Sequence, residues 1–353
     1  MKTIKIYSIA TIVAFFSILS TTSFALDEVR WKMPIAFKST LPALGTPSNY
    51  AVKQLAIASS NKIKIKIFEP KKLLPPFEIL SAVSSNKVEA GYTWIGYDAG
   101  TVPSLPLFAA VPFGMKPWAF TAWYYENKGH EMLQEAYANK GYKVHAELCG
   151  IIGPETAGWY KKPLKSLDDY KGLKIRFAGL GGKVIEKLGA SVSVLPGGEI
   201  FQALEKGTID ATEFSLPIID QLLGFNKVVK YNLFPGWHQT FTAQYMLINK
   251  GEYSKLGQDT KALIRNVCMA ATMKGLNESE SQQGEVMAGF KEKGIIAQKL
   301  PKNILRKLRD VTKEVLAEES AKDADFKKVY ENQQDFLKKY QVWEDFAYLP
   351  ADL

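Results

Sequence analysis

Leu195 to Phe214 reads LPGGEIFQALEKGTIDATEF. Gly197 and Gly198 open a short helix whose Ile200, Phe201 and Leu204 share one face, and Gly207 falls where a left-handed C-terminal stop is expected. A period of two then takes over. From Thr208 to Phe214 it places Ile209, Ala211 and Glu213 on the same side of a strand. An apolar strand face thus finishes in a carboxylate at the strand's carboxyl end, which is where open α/β sheets bind ligands. GFNKVVKYN at Gly224 to Asn232 follows, then Trp237-His238-Gln239, and the whole region reads as a ligand cradle.

Upstream, a similar rhythm precedes it. Strands are expected at Val29 to Ile35, Lys62 to Phe68, Val88 to Trp94 and Lys143 to Leu148. Helices are expected at Tyr50 to Ser59, Pro76 to Ser84 and His130 to Asn139. Pro103 to Pro117 reads as a loop dense in aromatics, a kind that often faces a cleft. After Gly153-Pro154 the rhythm repeats, with a strand at Leu173 to Phe177, a turn at Gly179 to Gly182 and a helix from Lys183 to Leu188. The turn is no dinucleotide loop, because Val184 stands where GxGxxG needs its third glycine. What remains is the Arg176 guanidinium beside backbone N–H groups at a helix start, a pairing suited to a carboxylate or other small anion. Asp259 to about Lys291 contains no proline and reads as one helix long enough to bridge two lobes. An amphipathic tail carrying Phe326, Tyr330, Phe336 and Tyr340 closes the chain, packing on its own lobe or on another subunit.

The amino terminus is an address. Lys2 and Lys5, an apolar run from Ile9 to Leu19 and Ser23-Phe24-Ala25 form a secretory signal peptide over residues 1–25, and the run is too short for a spanning helix. With 353 residues, 46% hydrophobic and 23% charged, the chain exceeds what one core usually organises. The formal net charge of +9 is spread along the chain and not gathered into a tail, which argues against nucleic acid as a partner. His130, His145 and His238 are scattered without the spacing of a zinc site. The two cysteines, Cys149 and Cys268, sit in apolar surroundings and are expected as buried free thiols, although the compartment would allow a disulfide.

With those residues in view, the chain resembles the DctP-type solute-binding proteins of tripartite ATP-independent periplasmic (TRAP) transporters, and among them the branch that binds 2-oxo acids and lactate. The resemblance covers nearly all the mature sequence. It is carried by GPETAGWYKKPL at Gly153 to Leu164, GLKIR ending at Arg176, LPGGEI at Leu195 to Ile200, IDATEF at Ile209 to Phe214, and His238-Gln239. Trp31-Lys32-Met33, Trp94 with Tyr97 and Asp98, and Val111-Pro112-Phe113-Gly114 are also similar to that family's first lobe.

The resemblance implies an α/β two-lobed periplasmic binding protein fold with a long lobe-spanning helix and a helical C-terminus. It implies a division into lobe I (26–149 and 236–288), lobe II (150–235 and 289–325) and a C-terminal tail (326–353). Arg176 is expected to clamp a small organic carboxylate, with Glu155, Phe214, Trp94 and Tyr97 also at the substrate. A metal cation is expected on Glu155, Glu213, the main chain of Phe214 and Gln239. Tyr92 is a further candidate for the cleft wall. Glu at 155 and Phe at 214 depart from the amide and the Trp known at those places. The cation is calcium or sodium, and the added carboxylate is an argument for calcium, because hard-cation affinity follows ligand charge. The implied partners are TRAP permease membrane subunits, with a homodimer through an exchanged C-terminal helix compatible with the tail. A ligand-sensing module for a signalling receptor is the alternative. A carboxylate-dependent enzyme using Glu155 and Glu213 as acid and base is a remoter one, since no nucleophile frame such as GxSxG is present.

Overall fold

A computed structural model describes residues 26–349. The expected signal peptide at 1–25 and the last four residues of the tail lie outside the described residues. Eleven strands are present there: β1 (Val29–Pro34), β2 (Ile63–Phe68), β3 (Ala90–Thr93), β4 (Val144–Ile152), β5 (Gly158–Tyr160), β6 (Lys174–Arg176), β7 (Ser191–Ser193), β8 (Ala211–Thr212), β9 (Tyr231–Phe234), β10 (Thr242–Asn249) and β11 (Ile296–Lys299). They form two lobes of α/β character. In one, β1 and β2 pair in parallel and a single bridge from Ile35 to Tyr92 joins them to the β3-β10-β4 sheet. The other is built on the six-stranded order β11-β9-β5-β8-β6-β7.

Local sequence explains the first lobe directly. The Ile/Lys alternation of β2 turns Ile63 and Ile65 into the core and Lys64 and Lys66 to solvent. The helix Thr46–Ala58 starts with Pro47 in its first turn, where a missing N–H costs nothing. In the second lobe the expected strand from Thr208 shrinks to two paired residues. β8 lies in the middle of its sheet, so Thr212 and Phe214 are buried along with Ile209, Ala211 and Glu213, and no face remains for solvent.

Gly179 to Gly182 is not a turn. These glycines form the first turn of a helix that runs Gly179–Lys187, because Gly181 and Gly182 must pass close to Phe177 and His238, where a Cβ would collide. The segment Pro103 to Pro117 also holds a short helix, Pro106–Ala109, that is wholly buried. Its aromatic Phe108 packs at 5.6 Å on Trp123 in the core instead of facing the cleft.

The 31-residue helix Gln258–Ala288 is roughly 47 Å long at 1.5 Å per residue. Ile264, Cys268, Ala271 and Gly275 recur at three- and four-residue spacing along its buried face, which lies on β4. Farther along, Gln283 accepts a hydrogen bond from Ile218 N–H in the helix Pro217–Leu222, so one rod touches both lobes. The helix Lys302–Lys322 packs on Gly179–Lys187, with Lys183 and Lys187 paired to Glu319 and Glu318. The last helix, Ala324–Ala347, then returns to the first lobe. Trp123 Nε1 donates to Asn332 at 2.8 Å, and Gln333 donates to the Leu107 carbonyl at 2.7 Å. The tail therefore packs on its own chain, while Val342, Trp343, Phe346 and Leu349 at its end are exposed.

The expectation of free thiols is overturned. Cys149 on β4 and Cys268 on the long helix form a disulfide that closes a 119-residue separation, and no free cysteine remains. Apolar surroundings fitted either state; what decides it is that the helix lies on β4 closely enough to bring the two Cα atoms within 4.2 Å. Oxidised protein, denatured without reductant, should show no alkylatable thiol. Reducing the bond, or Cys149→Ala with Cys268→Ala, should lower unfolding stability in urea by about 2–4 kcal/mol with no change of fold by circular dichroism.

Candidate functional site

The functional side chains arise where strand ends meet the crossover segments between lobes. β6 and β8 are parallel neighbours, so Arg176 and Glu213 emerge side by side at their carboxyl ends, held by a Glu213 N–H to Arg176 carbonyl bond of 3.0 Å. Glu155 lies between β4 and β5, with its N–H donating to the Gln239 carbonyl at 3.1 Å. Gly236 allows this approach, since a Cβ there would overlap the Glu155 carbonyl. Trp94 and Tyr97 follow β3 and meet edge to face, ring centroids 4.9 Å apart.

One small cavity of about 20 Å³ gathers them. It is lined by Trp94, Tyr97, Glu155, Arg176, Glu213, Phe214 and Gln239, joined by Phe37, Leu44, Ala178 and Thr242. Every residue expected at the substrate or the cation therefore sits on one wall or another of the same space. Tyr92 does not. It is fully buried in the sheet, its hydroxyl 3.5 Å from the Cys149 carbonyl.

The guanidinium is held by its own protein. Arg176 Nη1 donates to Glu213 Oε2 at 2.9 Å and to the Glu213 carbonyl at 2.8 Å, and Nε donates to the Leu195 carbonyl at 3.2 Å. It also lies 5.4 Å from the Phe214 ring centroid, a cation–π distance. Glu213 Oε1 accepts from the Ala178 N–H at 2.5 Å. The backbone donor at this helix start, expected to face a ligand, is thus taken by Glu213 itself.

Glu155 is different. Its Oε1 accepts from Thr242 Oγ1 at 2.8 Å, while the Thr242 hydroxyl also approaches Gln239 Oε1. Its Oε2 is buried without any hydrogen-bond partner. Burial and the neighbouring Glu213 charge push the Glu155 carboxyl well above the usual range, and burial also raises Glu213 against the opposing pull of Arg176. Burial likewise lifts Tyr97 to about 12.

His238 was read in the sequence only as part of a motif. Its Nε2 lies 3.8 Å from Glu155 Oε2 and 4.0 Å from Glu213 Oε2, and neither ring nitrogen has a hydrogen-bond partner. Burial and Arg176 drive its pKa down to about 3, so the ring is neutral and offers Glu155 no charge. Thr242 and Phe37 were missed as well. Both are ordinary residues in ordinary contexts, and only the folded neighbourhood marks them. Phe37 meets Phe214 across the lobe junction with centroids 6.4 Å apart, and an exposed pair, Lys71 with Glu199 at 2.6 Å, spans the same junction.

Residues 44–323 match the sequence profile of the bacterial extracellular solute-binding proteins, family 7 (DctP). The chain is 33% identical over 324 residues to a monocarboxylate 2-oxoacid-binding periplasmic protein of Nostoc sp., covering 92% of this chain and 88% of that one. Two solved TRAP periplasmic solute-binding proteins superpose closely. One from Pseudoalteromonas atlantica, with bound sodium and pyruvate, gives a TM-score of 0.86 at 27% identity, covering 91% of this chain and 97% of that one. One from Colwellia psychrerythraea, with bound calcium and pyruvate, gives 0.86 at 28%, covering 91% and 98%. Family profile, fold and a carboxylate-rich pocket at the lobe junction agree: the chain belongs to the DctP family, the extracytoplasmic solute-binding receptors of TRAP transporters.

Proposed function

We propose that this receptor captures a small monocarboxylate, a 2-oxo or 2-hydroxy acid such as pyruvate or lactate, together with a metal cation, and delivers it in the periplasm to TRAP permease membrane subunits. The observation that carries this reading is a buried pocket holding both a guanidinium and an uncompensated carboxylate oxygen, Glu155 Oε2. The relatives that bind pyruvate with calcium or sodium support it.

The donors fit a hard cation. Glu155, Glu213, Gln239 and the main chain of Phe214 offer oxygen only, a set that suits calcium or sodium and not a soft metal. Charge then favours calcium. With the cation bound and both glutamates ionised by it, they and Arg176 leave one negative charge, since His238 is neutral, and a monocarboxylate adds a second. A divalent ion brings that sum to zero, whereas sodium leaves a buried anion, which is costly. The cation, when bound, supplies positive charge shared between the acid and the protein.

Arg176 orients the carboxylate through its planar fork. Trp94, Tyr97 and Phe214 bound the space for the ligand's tail, and Phe37 against Phe214 helps exclude water. Opening must separate that pair and break Lys71–Glu199. A ligand favours closure only by its tighter binding to the closed form. We place the lobes at 26–149 with 236–288 and at 150–235 with 289–325, followed by the tail. No covalent step is assigned to any pocket residue, and the bound acid should return unchanged after prolonged incubation. Conversion of the acid would defeat the receptor reading.

Isothermal titration with pyruvate, lactate and longer 2-oxo acids, each with and without calcium, tests the proposal. Wild-type protein should bind at least one of them. Arg176→Lys should weaken that binding by roughly 10- to 100-fold, the worth of one to two charge-assisted hydrogen bonds. Unchanged affinity for every acid would sink the assignment.

Calcium affinity should fall on acidification. Proton and cation compete for Glu155, whose carboxyl titrates above the ordinary range, so the ion meets more protonated carboxyl as pH drops from 8 to 5. The apparent Kd should rise by up to about tenfold per pH unit for one displaced proton. Glu155→Gln should bind calcium more weakly at pH 8 and show a flatter profile. A wild-type Kd independent of pH over that range would contradict the role of Glu155.

A further inference from the structure

On the first lobe, away from the pocket, the fold brings together two histidines that are far apart in the motif sense. His145 and Glu147 lie two residues apart on β4 and so share a face, while His130 comes from the first turn of the helix Gly129–Asn139 packed beside that strand. His145 Nε2 is 2.7 Å from Glu147 Oε1 and His130 Nε2 is 3.6 Å from Glu147 Oε2. The three ligand atoms all lie within 4.8 Å of one another. We propose that His130, His145 and Glu147 form a second metal site, of nitrogen-rich character, that takes a divalent transition ion of the zinc type.

Three observations support it. Glu147 is 2% exposed, and among the described residues its only ion-pair partners are these two imidazoles; no lysine or arginine compensates it. Its two carboxylate oxygens face one imidazole nitrogen each, Oε1 toward His145 Nε2 and Oε2 toward His130 Nε2. The rings are braced from outside. His145 stacks on Tyr253 at 3.6 Å with planes 10° apart, and Gln134 ties its helix to β4 through a pair of bonds with Ala146, Oε1 accepting from the N–H at 3.0 Å and Nε2 donating to the carbonyl at 2.9 Å.

That pair of bonds fixes which end of the Gln134 amide is which. Its Nε2 therefore faces His130 as a donor, 3.4 Å from the carbonyl oxygen and 3.5 Å from the ring Nε2. Two histidines and a glutamate are a recognised zinc donor set, with a fourth position for water, and both rings are partly exposed on the solvent side. Tetrahedral zinc with bonds near 2.0–2.1 Å needs ligand atoms roughly 3.3 Å apart, a value between the His145–Glu147 separation of 2.7 Å and the His130–Glu147 separation of 3.6 Å. The lobe-junction pocket offers two carboxylates and one imidazole where this cluster offers two imidazoles and one carboxylate, so this cluster is the more nitrogen-rich of the two.

Zinc titrated into the full-length mature protein in excess calcium, followed by desalting and elemental analysis, should leave about one zinc per chain. His130→Gln and His145→Gln, both partly exposed and without a role at the lobe junction, should each cut retained zinc at least tenfold while leaving pyruvate binding unchanged. Anomalous scattering at the zinc edge in crystals soaked in zinc should place the ion between the three side chains. Equal retention by wild type and both variants, or a zinc peak only at Glu155 and Glu213, would overturn the proposal.

Discussion

Two glutamates and one arginine are buried where the lobes meet, and the charges do not balance among themselves. Burying an ionised carboxylate costs several kcal/mol unless it is paired. Glu213 has Arg176 and a backbone N–H; Glu155 has only one hydroxyl and leaves an oxygen unpaired. This imbalance is the constraint on which the pocket's chemistry rests. A proton on Glu155 can relieve it, and under the proposed function a bound cation would do so instead, which would make capture of an acid and capture of an ion one event.

The rest of the architecture keeps those groups where the imbalance can act. Arg176 and Glu213 stand at the ends of adjacent parallel strands, so their spacing is set by sheet geometry and not by flexible loops. Glu155 is positioned by the crossover at Gly236, a place where any side chain would displace it. Behind the junction, the long helix is joined to β4 by the Cys149–Cys268 disulfide, and the C-terminal helix returns from one lobe to the other. A receptor that opens and closes needs rigid halves, and these links supply stiffness where motion would blur the site.

The histidine cluster repeats the same physics with other atoms. Glu147 is also a buried anion without a lysine or arginine, but its neighbours are imidazoles whose charge depends on protons or metal. The contrast between a carboxylate-rich pocket at the lobe junction and a histidine-rich cluster on one lobe follows from which side chains each strand end presents.

Much of the fold was legible in the chain itself. The Ile/Lys alternation of β2, the proline-free run of the long helix and the glycines at 197 and 207 each specify local geometry through period or backbone freedom, and the resemblance carried by five ordered motifs pointed to Glu155, Arg176, Glu213, Phe214 and Gln239, which line one cavity. Local pattern was silent wherever a distance between remote segments decides the outcome. Cys149 and Cys268 read as buried free thiols, and only the helix lying on β4 brings them together as a disulfide. Gly179 to Gly182 read as a turn because the close approach of Phe177 and His238 is not written nearby. Thr242 and the pairing of His130 with His145 carry no signal in spacing at all, since their neighbours come from other elements. Sequence determined the elements and the donor types. Tertiary packing decided which donors meet, because burial and charge act through space and not along the chain.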